Sequence, residues 1–199
     1  MTKSKTPAHI FLTGEKQVGK STLVSSVLAT TKLRYKGLRS ISVFDENNDR
    51  NVYIIPANKG KTPTNSPTQE TPADTADHQG NPLSQETPAL VGICSNHHIV
   101  AKKPEVFDSI GCRLLEPDKD TQLIVIDEIG NMESNARLYS VKVMSLLERT
   151  DIRVLGVVQK MARTELAETI RNHPNVRIIE VDEGNREELV KVILSLLQS

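Results

Sequence analysis

HIFLTGEKQVGKSTLVSSVL, running from His9 to Leu28, is the stretch that decides the fold. At its centre stands Gly14-x-x-x-x-Gly19-Lys20-Ser21, the P-loop pattern. Its flanks supply the context. Ile10, Phe11 and Leu12 form a short apolar run suited to a buried strand. Downstream, Leu23, Val24, Val27 and Leu28 share one face of a helix. A strand, a glycine loop and a helix in succession are the setting in which this pattern holds phosphate.

The residue types explain why. A di- or triphosphate needs many donors in a small volume. Backbone N–H groups of residues 15–21 can converge on one concavity if the loop folds tightly. Gly14 and Gly19 permit the dihedrals and the close approach. The helix starting near Lys20 offers unpaired N–H groups and the positive end of its dipole. Lys20 is expected to reach the β- and γ-phosphates and Ser21 to ligate Mg2+. The phosphate-holding set is then Gly14, Glu15, Lys16, Gln17, Val18, Gly19, Lys20, Ser21 and Thr22.

The second strong signal is Gln122-Leu123-Ile124-Val125-Ile126-Asp127-Glu128, an apolar run ending in two carboxylates. Such a run fits a central parallel strand buried on both faces. Ligands of open α/β sheets bind beyond the carboxyl ends of the strands. Asp127 would therefore arrive beside the P-loop and hold Mg2+, while Glu128 would orient or deprotonate an attacking water.

Other segments fill in the sheet. Ile41–Phe44 and Val52–Ile55 flank the polar turn 45–49 and predict a small antiparallel hairpin. The basic residues Lys32, Arg34, Lys36 and Arg39 either face phosphates or form a solvated helix end; charge runs favour the second reading. Pro104 opens a helix to about Leu115, with Val106, Ile110 and Leu114 on one side. Asn135 or Ser134 caps a helix to about Glu148, with Leu138, Val141, Ser145 and Leu146 near one side. Val154–Val158 and Val176–Val181 are further strands, and the spacing places those at Ile10, Leu123, Val154 and Val176 at or near the centre. Arg163, after the first of these, is a candidate for neutralising charge on a transferring phosphoryl group, or else a solvated residue opening the helix Thr164–Asn172. Asn185 and Arg186 precede a closing helix, Glu187–Leu197, and are lesser candidates for the base side of a nucleotide.

Length and composition bound the rest. At 199 residues, one domain spanning 1–199 is expected. Lys61–Pro88 is rich in Thr, Pro, Ser, Asn and Gln, and six of ten prolines lie between Pro56 and Pro88. Residues 57–89 therefore read as a flexible Pro/Thr-rich insertion, and the polar start Met1–Pro7 as frayed. Lys plus Arg and Asp plus Glu both number 25, so there is no basic excess to bind nucleic acid or an anionic membrane. Tryptophan is absent and aromatics are 3%, which removes a base-stacking platform. Cys94 lies near His97 and His98, but no second Cys/His pair stands at zinc spacing. With two cysteines and no leader or apolar span, a cytoplasmic protein without a membrane partner is expected; the residues leave the oligomeric state open, with a monomer as the default expectation.

Four pieces carry a family likeness: Leu12–Leu23, Leu123 through Asp127-Glu128-Ile129-Gly130-Asn131-Met132-Glu133, Val154–Val158 with the basic residues after it, and Val181–Leu189 around Asn185-Arg186. They resemble the small P-loop nucleoside-triphosphatase family of bacteria and archaea, related to the human cancer-related nucleoside-triphosphatase. The resemblance implies an α/β three-layer P-loop fold with a mostly parallel sheet. It also implies Mg2+-dependent hydrolysis of nucleoside triphosphates, ATP and GTP among them, to diphosphate and phosphate, with Glu128 as the catalytic carboxylate. The chain departs from the family at Glu15-Lys16-Gln17-Val18, where proline or a further glycine is usual, and at Gly37-Leu38-Arg39-Ser40, where Gly-Phe-x-Thr recurs.

The residues leave three activities to weigh. A hydrolase and a nucleotide or nucleoside kinase both need the P-loop, Mg2+ and in-line attack. A kinase also needs an acceptor pocket and a lid, for which Lys160–Arg163 is a thin candidate. The adjacent carboxylates Asp127 and Glu128 favour water as the acceptor. A non-catalytic nucleotide switch is the third.

Overall fold

A computed structural model of the chain describes residues 8–57, 87–96 and 98–198. The N-terminal residues 1–7, the bulk of the insertion expected at 57–89 and His97 lie outside the described residues.

The strands are β1 His9–Thr13, β2 Tyr35–Phe44, β3 Arg50–Pro56, β4 Ala89–Ser95, β5 His98–Lys102, β6 Leu123–Ile129, β7 Arg153–Val158 and β8 Val176–Glu180. They form one eight-stranded sheet in the order β5-β4-β3-β2-β6-β7-β1-β8. Strands β2, β6, β7, β1 and β8 are parallel neighbours. Strands β2 to β5 form an antiparallel meander, so the hairpin read from Ile41–Phe44 and Val52–Ile55 is extended by two further strands. Asp45 closes the hairpin turn by accepting the amides of Asn47 and Asp49 on Oδ1, both at 2.9 Å.

The alternation of apolar residues along the parallel strands explains the layering. On β6, Leu123 and Val125 face one core while Ile124 and Ile126 face the other. The first core is completed by Leu23, Val24, Val27 and Leu28 of α1 (Lys20–Thr30) and by Ile193 and Leu197 of α6 (Arg186–Gln198). The second is covered by α2 (Pro104–Val106), a π-helical turn Phe107–Gly111, α3 (Cys112–Leu114), α4 (Arg137–Leu147) and α5 (Glu165–Asn172). Each fully buried Leu, Ile or Phe contributes about 1.5–3 kcal/mol, so a strand buried on both faces anchors the sheet. The result is the α/β three-layer architecture with a mostly parallel sheet.

Four expectations are corrected. The strand at Val176 is β8, at the edge of the sheet and paired only to β1 among the described residues. The helix from Pro104 is interrupted by the π-helical turn, whose wider coil shifts the register: Val106, Phe107, Gly111 and Leu114 are buried, and Ile110 only partly. In α4 the buried face is Tyr139, Val143, Leu146 and Leu147, while Leu138 and Val141 are 64% and 68% exposed. The N-cap of α4 is Ala136, neither Asn135 nor Ser134. The reason lies in another helix. Asp108 Oδ1 accepts the Tyr139 amide at 2.9 Å, and the Tyr139 ring packs on Phe107 at 5.2 Å between centroids. A carboxylate from outside takes the place of the local cap and turns the aromatic inward. Among the described residues no helix is long and apolar enough to cross a membrane.

Candidate active site

Parallel strands deliver their carboxyl ends to one edge of the sheet. There β1 runs into the loop 14–19, β6 ends in Asp127, Glu128 and Ile129, and β7 ends at Val158 ahead of Gln159. Gly14 has φ 142°, and a Cβ there would meet the Val181 carbonyl at 2.3 Å. Gly19 takes φ 95° and precedes Lys20 directly; a Cβ on it would come within 2.7 Å of Arg186 Nη1. Both glycines therefore let the loop lie against the segment after β8 while turning into α1. Gln17 carries the remaining left-handed dihedral, φ 63°.

Lys20 is buried, and its Nζ donates to the carbonyls of Gly14 at 3.0 Å and Glu15 at 2.5 Å. Burial lowers the pKa of its ammonium, against the pull of Glu128, Asp127 and Glu15. Ser21 Oγ donates to Asp127 Oδ1 at 2.9 Å. The loop and the end of β6, 106 positions apart in sequence, thus meet in one hydrogen bond. Asp127 is 2% exposed. Burial raises its pKa, while Arg39 and Ser21 oppose the rise.

Glu128 sits at a break in the β6–β7 register, between the pairs Asp127↔Val157 and Ile129↔Val158. Its Oε1 accepts a hydrogen bond from Gln159 Nε2. Burial raises its pKa, the bond from Gln159 lowers it, and Asp127 adds to the rise. A half-buried carboxylate of raised basicity, oriented by an amide, is equipped to take a proton.

Other sequence candidates are placed differently. Arg163 is not brought to this cluster; its exposed guanidinium pairs with Glu168 at 3.4 Å. Asn185 donates back to Glu180 O at the end of β8 at 3.1 Å and to Asp182 Oδ2 in its own loop at 3.0 Å. Glu15 forms an ion pair with Lys160 at 3.0 Å, and Lys16, Gln17 and Thr22 are exposed. Cys94 Sγ on β4 accepts from Arg50 on β3 at 3.2 Å, and the described residues hold no cluster of three metal-ligating side chains there or elsewhere.

Three residues have roles at the site that the sequence did not give. Arg39 does not belong to a solvated helix end: it lies in β2, opposite Asp127 on β6, and its Nε is 3.4 Å from Asp127 Oδ2. Gln159 holds Glu128. Glu133, buried, accepts the Gly130 amide at 2.6 Å and so fixes the turn after the two carboxylates. The alternation Tyr35, Gly37, Arg39 could have signalled the first, because a strand beside β6 presents every second residue to α1.

A glycine loop opening a helix, a buried aspartate bonded to that helix's serine, and this sheet order together define a P-loop protein of the α/β class. The model of the NTPase family matches residues 73–194, and the chain belongs to that family, which makes it a nucleoside-triphosphatase. It is similar to the nucleoside-triphosphatase THEP1 of Aquifex aeolicus, 26% identical over 190 residues that cover 95% of this chain and 98% of that one. It is similar to the cancer-related nucleoside-triphosphatase of Homo sapiens, 26% identical over 196 residues, 96% of this chain and 97% of that one. The crystal structure of THEP1 from Aquifex aeolicus superposes with a TM-score of 0.69 at 21% identity, covering 96% of this chain and 99% of the other, and so shares the fold. The relatives bear hydrolase names and lend no support to the kinase alternative.

Proposed function

We propose that this site carries out Mg2+-dependent hydrolysis of nucleoside triphosphates, ATP and GTP among them, to diphosphate and phosphate. The observation that carries the reading is the 2.9 Å bond from Ser21 Oγ to Asp127 Oδ1. It puts a hydroxyl and a carboxylate oxygen, both hard donors, beside the loop that cradles phosphate. That donor set fits Mg2+, which is usually held by one or two protein oxygens together with substrate phosphates and water. Ser21 and Asp127 would hold the ion, and it would neutralise charge on the β- and γ-phosphate oxygens.

The chain's own groups do the rest. The amides of residues 15–21 bind the phosphates, and Lys20 exchanges its bonds to Gly14 O and Glu15 O for phosphate oxygens. Glu128 holds the attacking water, with Gln159 fixing its other oxygen. The water oxygen bonds to the γ-phosphorus as the bond to the bridging oxygen breaks. The water's proton passes to Glu128 and from there to the departing phosphate. Near-neutral net charge supports a small-molecule substrate over nucleic acid, and the expected cytoplasmic monomer belongs to the same proposal.

The test is product analysis with ATP and GTP, with and without Mg2+, and with and without a panel of nucleosides and nucleoside monophosphates. The proposal expects free phosphate without any acceptor, loss of turnover in EDTA, and loss of most nucleotide affinity or turnover in Lys20→Ala. Turnover that appears only with an acceptor would replace hydrolysis by transfer. Binding without turnover would make the chain a switch.

A further inference from the structure

The two oxygens of Asp127 have different partners. Oδ1 accepts from Ser21, and Oδ2 lies 3.4 Å from Arg39 Nε. The same guanidinium donates to Ser25 Oγ at 2.8 Å and to the Ser21 carbonyl at 3.4 Å. Arg39 thus ties β2 to the first turns of α1 and to the end of β6 at once. It reaches this place by register, since parallel pairing sets Arg39 opposite Asp127. The Arg39 side chain is 18% exposed.

A buried carboxylate without a cation is strongly unfavourable. Lys20 Nζ is engaged with loop carbonyls, so the guanidinium of Arg39 is the cationic group in contact with Asp127 among the described residues. A divalent cation taken up by Ser21 and Asp127 brings a second positive centre to the same carboxylate. The two cations repel each other at short range in a poorly screened place.

We propose that Arg39 is a positioning residue that acts as the resident counter-ion of Asp127: it keeps the carboxylate and Ser21 at their working spacing while no divalent cation is bound, and it yields Oδ2 when the cation arrives. This rests on the reading of Ser21 and Asp127 as the cation's ligands. Arg39 therefore stabilises the metal-free protein and weakens cation binding, so the site fills only at a higher Mg2+ concentration than its oxygen donors would set.

The test compares wild type, Arg39→Gln and Arg39→Lys by thermal unfolding in EDTA and in ADP with graded MgCl2. A fluorescent ADP analogue reports the Mg2+ concentration at half-maximal binding. Arg39→Gln should melt lower than wild type in EDTA, and the gap should close at saturating Mg2+ and ADP. Its half-saturating Mg2+ should fall by roughly tenfold, the effect of removing one nearby like charge. Arg39→Lys keeps the charge and should keep the wild-type Mg2+ dependence, and Arg39→Met, which keeps the apolar stem without the charge, replaces Arg39→Gln if that variant does not fold. An equal loss of melting temperature at every Mg2+ concentration, with unchanged half-saturation, would overturn the proposal and leave Arg39 as a tie between β2 and α1. A wild type that binds ADP with no Mg2+ dependence would overturn the cation site itself, and Arg39's role with it.

Discussion

Glu133 Oε1 accepts the amide of Gly130 at 2.6 Å inside the protein, at the turn that follows the paired carboxylates. Burial pushes the Glu133 carboxyl up to about 7, with Glu128 adding to the rise and its two backbone hydrogen bonds and Lys102 opposing it.

A stability profile follows from that raised value. Between the ordinary glutamate value of 4.5 and about 7, the folded chain holds a proton on Glu133 that the unfolded chain has released. Folding therefore loses stability from this group as pH rises through that window, and the loss is complete above about 7. The magnitude is about 3 kcal/mol, from the rise between 4.5 and about 7. Urea unfolding of wild type and Glu133→Gln across pH 4.5–7.5 should show the difference between them shifting toward the variant as pH rises. A difference that stays flat with pH would remove Glu133 as the source.

Gln159 has a different task. Its side-chain amide donates to Glu128. Gln159→Ala should lower kcat by roughly ten- to a hundredfold, the worth of one hydrogen bond to a charged group. Nucleotide affinity should stay near wild type. A variant that loses affinity and keeps kcat would show that the amide serves binding.

Arg171 and Lys160 sit near the same turn and separate burial from charge. Arg171, 18% exposed, donates to Gln159 O at 2.6 Å and Ala162 O at 2.9 Å, besides pairing with Glu168 at 3.0 Å. Lys160, 41% exposed, bridges Glu15 at 3.0 Å and Glu180 at 2.8 Å. Arg171→Ala should destabilise by about 1–3 kcal/mol, because half-buried carbonyls lose their donors. Lys160→Ala should cost far less, because exposed ion pairs are screened by water and salt. Equilibrium urea unfolding of both variants decides it, and the reverse ranking would refute the argument.

What could be read in advance, and what could not, divides along a physical line. Leu123–Ile126 announces a strand buried on both faces because four successive apolar residues leave it no solvent side. The glycine loop announces itself because its residues are consecutive. The partner of Arg39 does not, since it depends on which strand lies beside β6 and in what register. Gln159 meets Glu128 across the ends of two strands, a contact that no local pattern encodes. Two apolar sets in α4 both satisfy helical spacing, and Asp108 from a separate helix chooses between them. The edge position of β8 was equally hidden, since Val176–Val181 has the apolar content of an inner strand while its neighbours are set by chain topology.

The central claim is that the P-loop and the Asp127–Glu128 end of β6 form one hydrolytic site. Its most direct test is phosphate release from MgATP and MgGTP without acceptor, measured with ADP binding, in wild type and Glu128→Gln. Wild type should release phosphate steadily, and the variant should still bind ADP while turnover falls by roughly two to four orders of magnitude. Undiminished phosphate release by Glu128→Gln would contradict it.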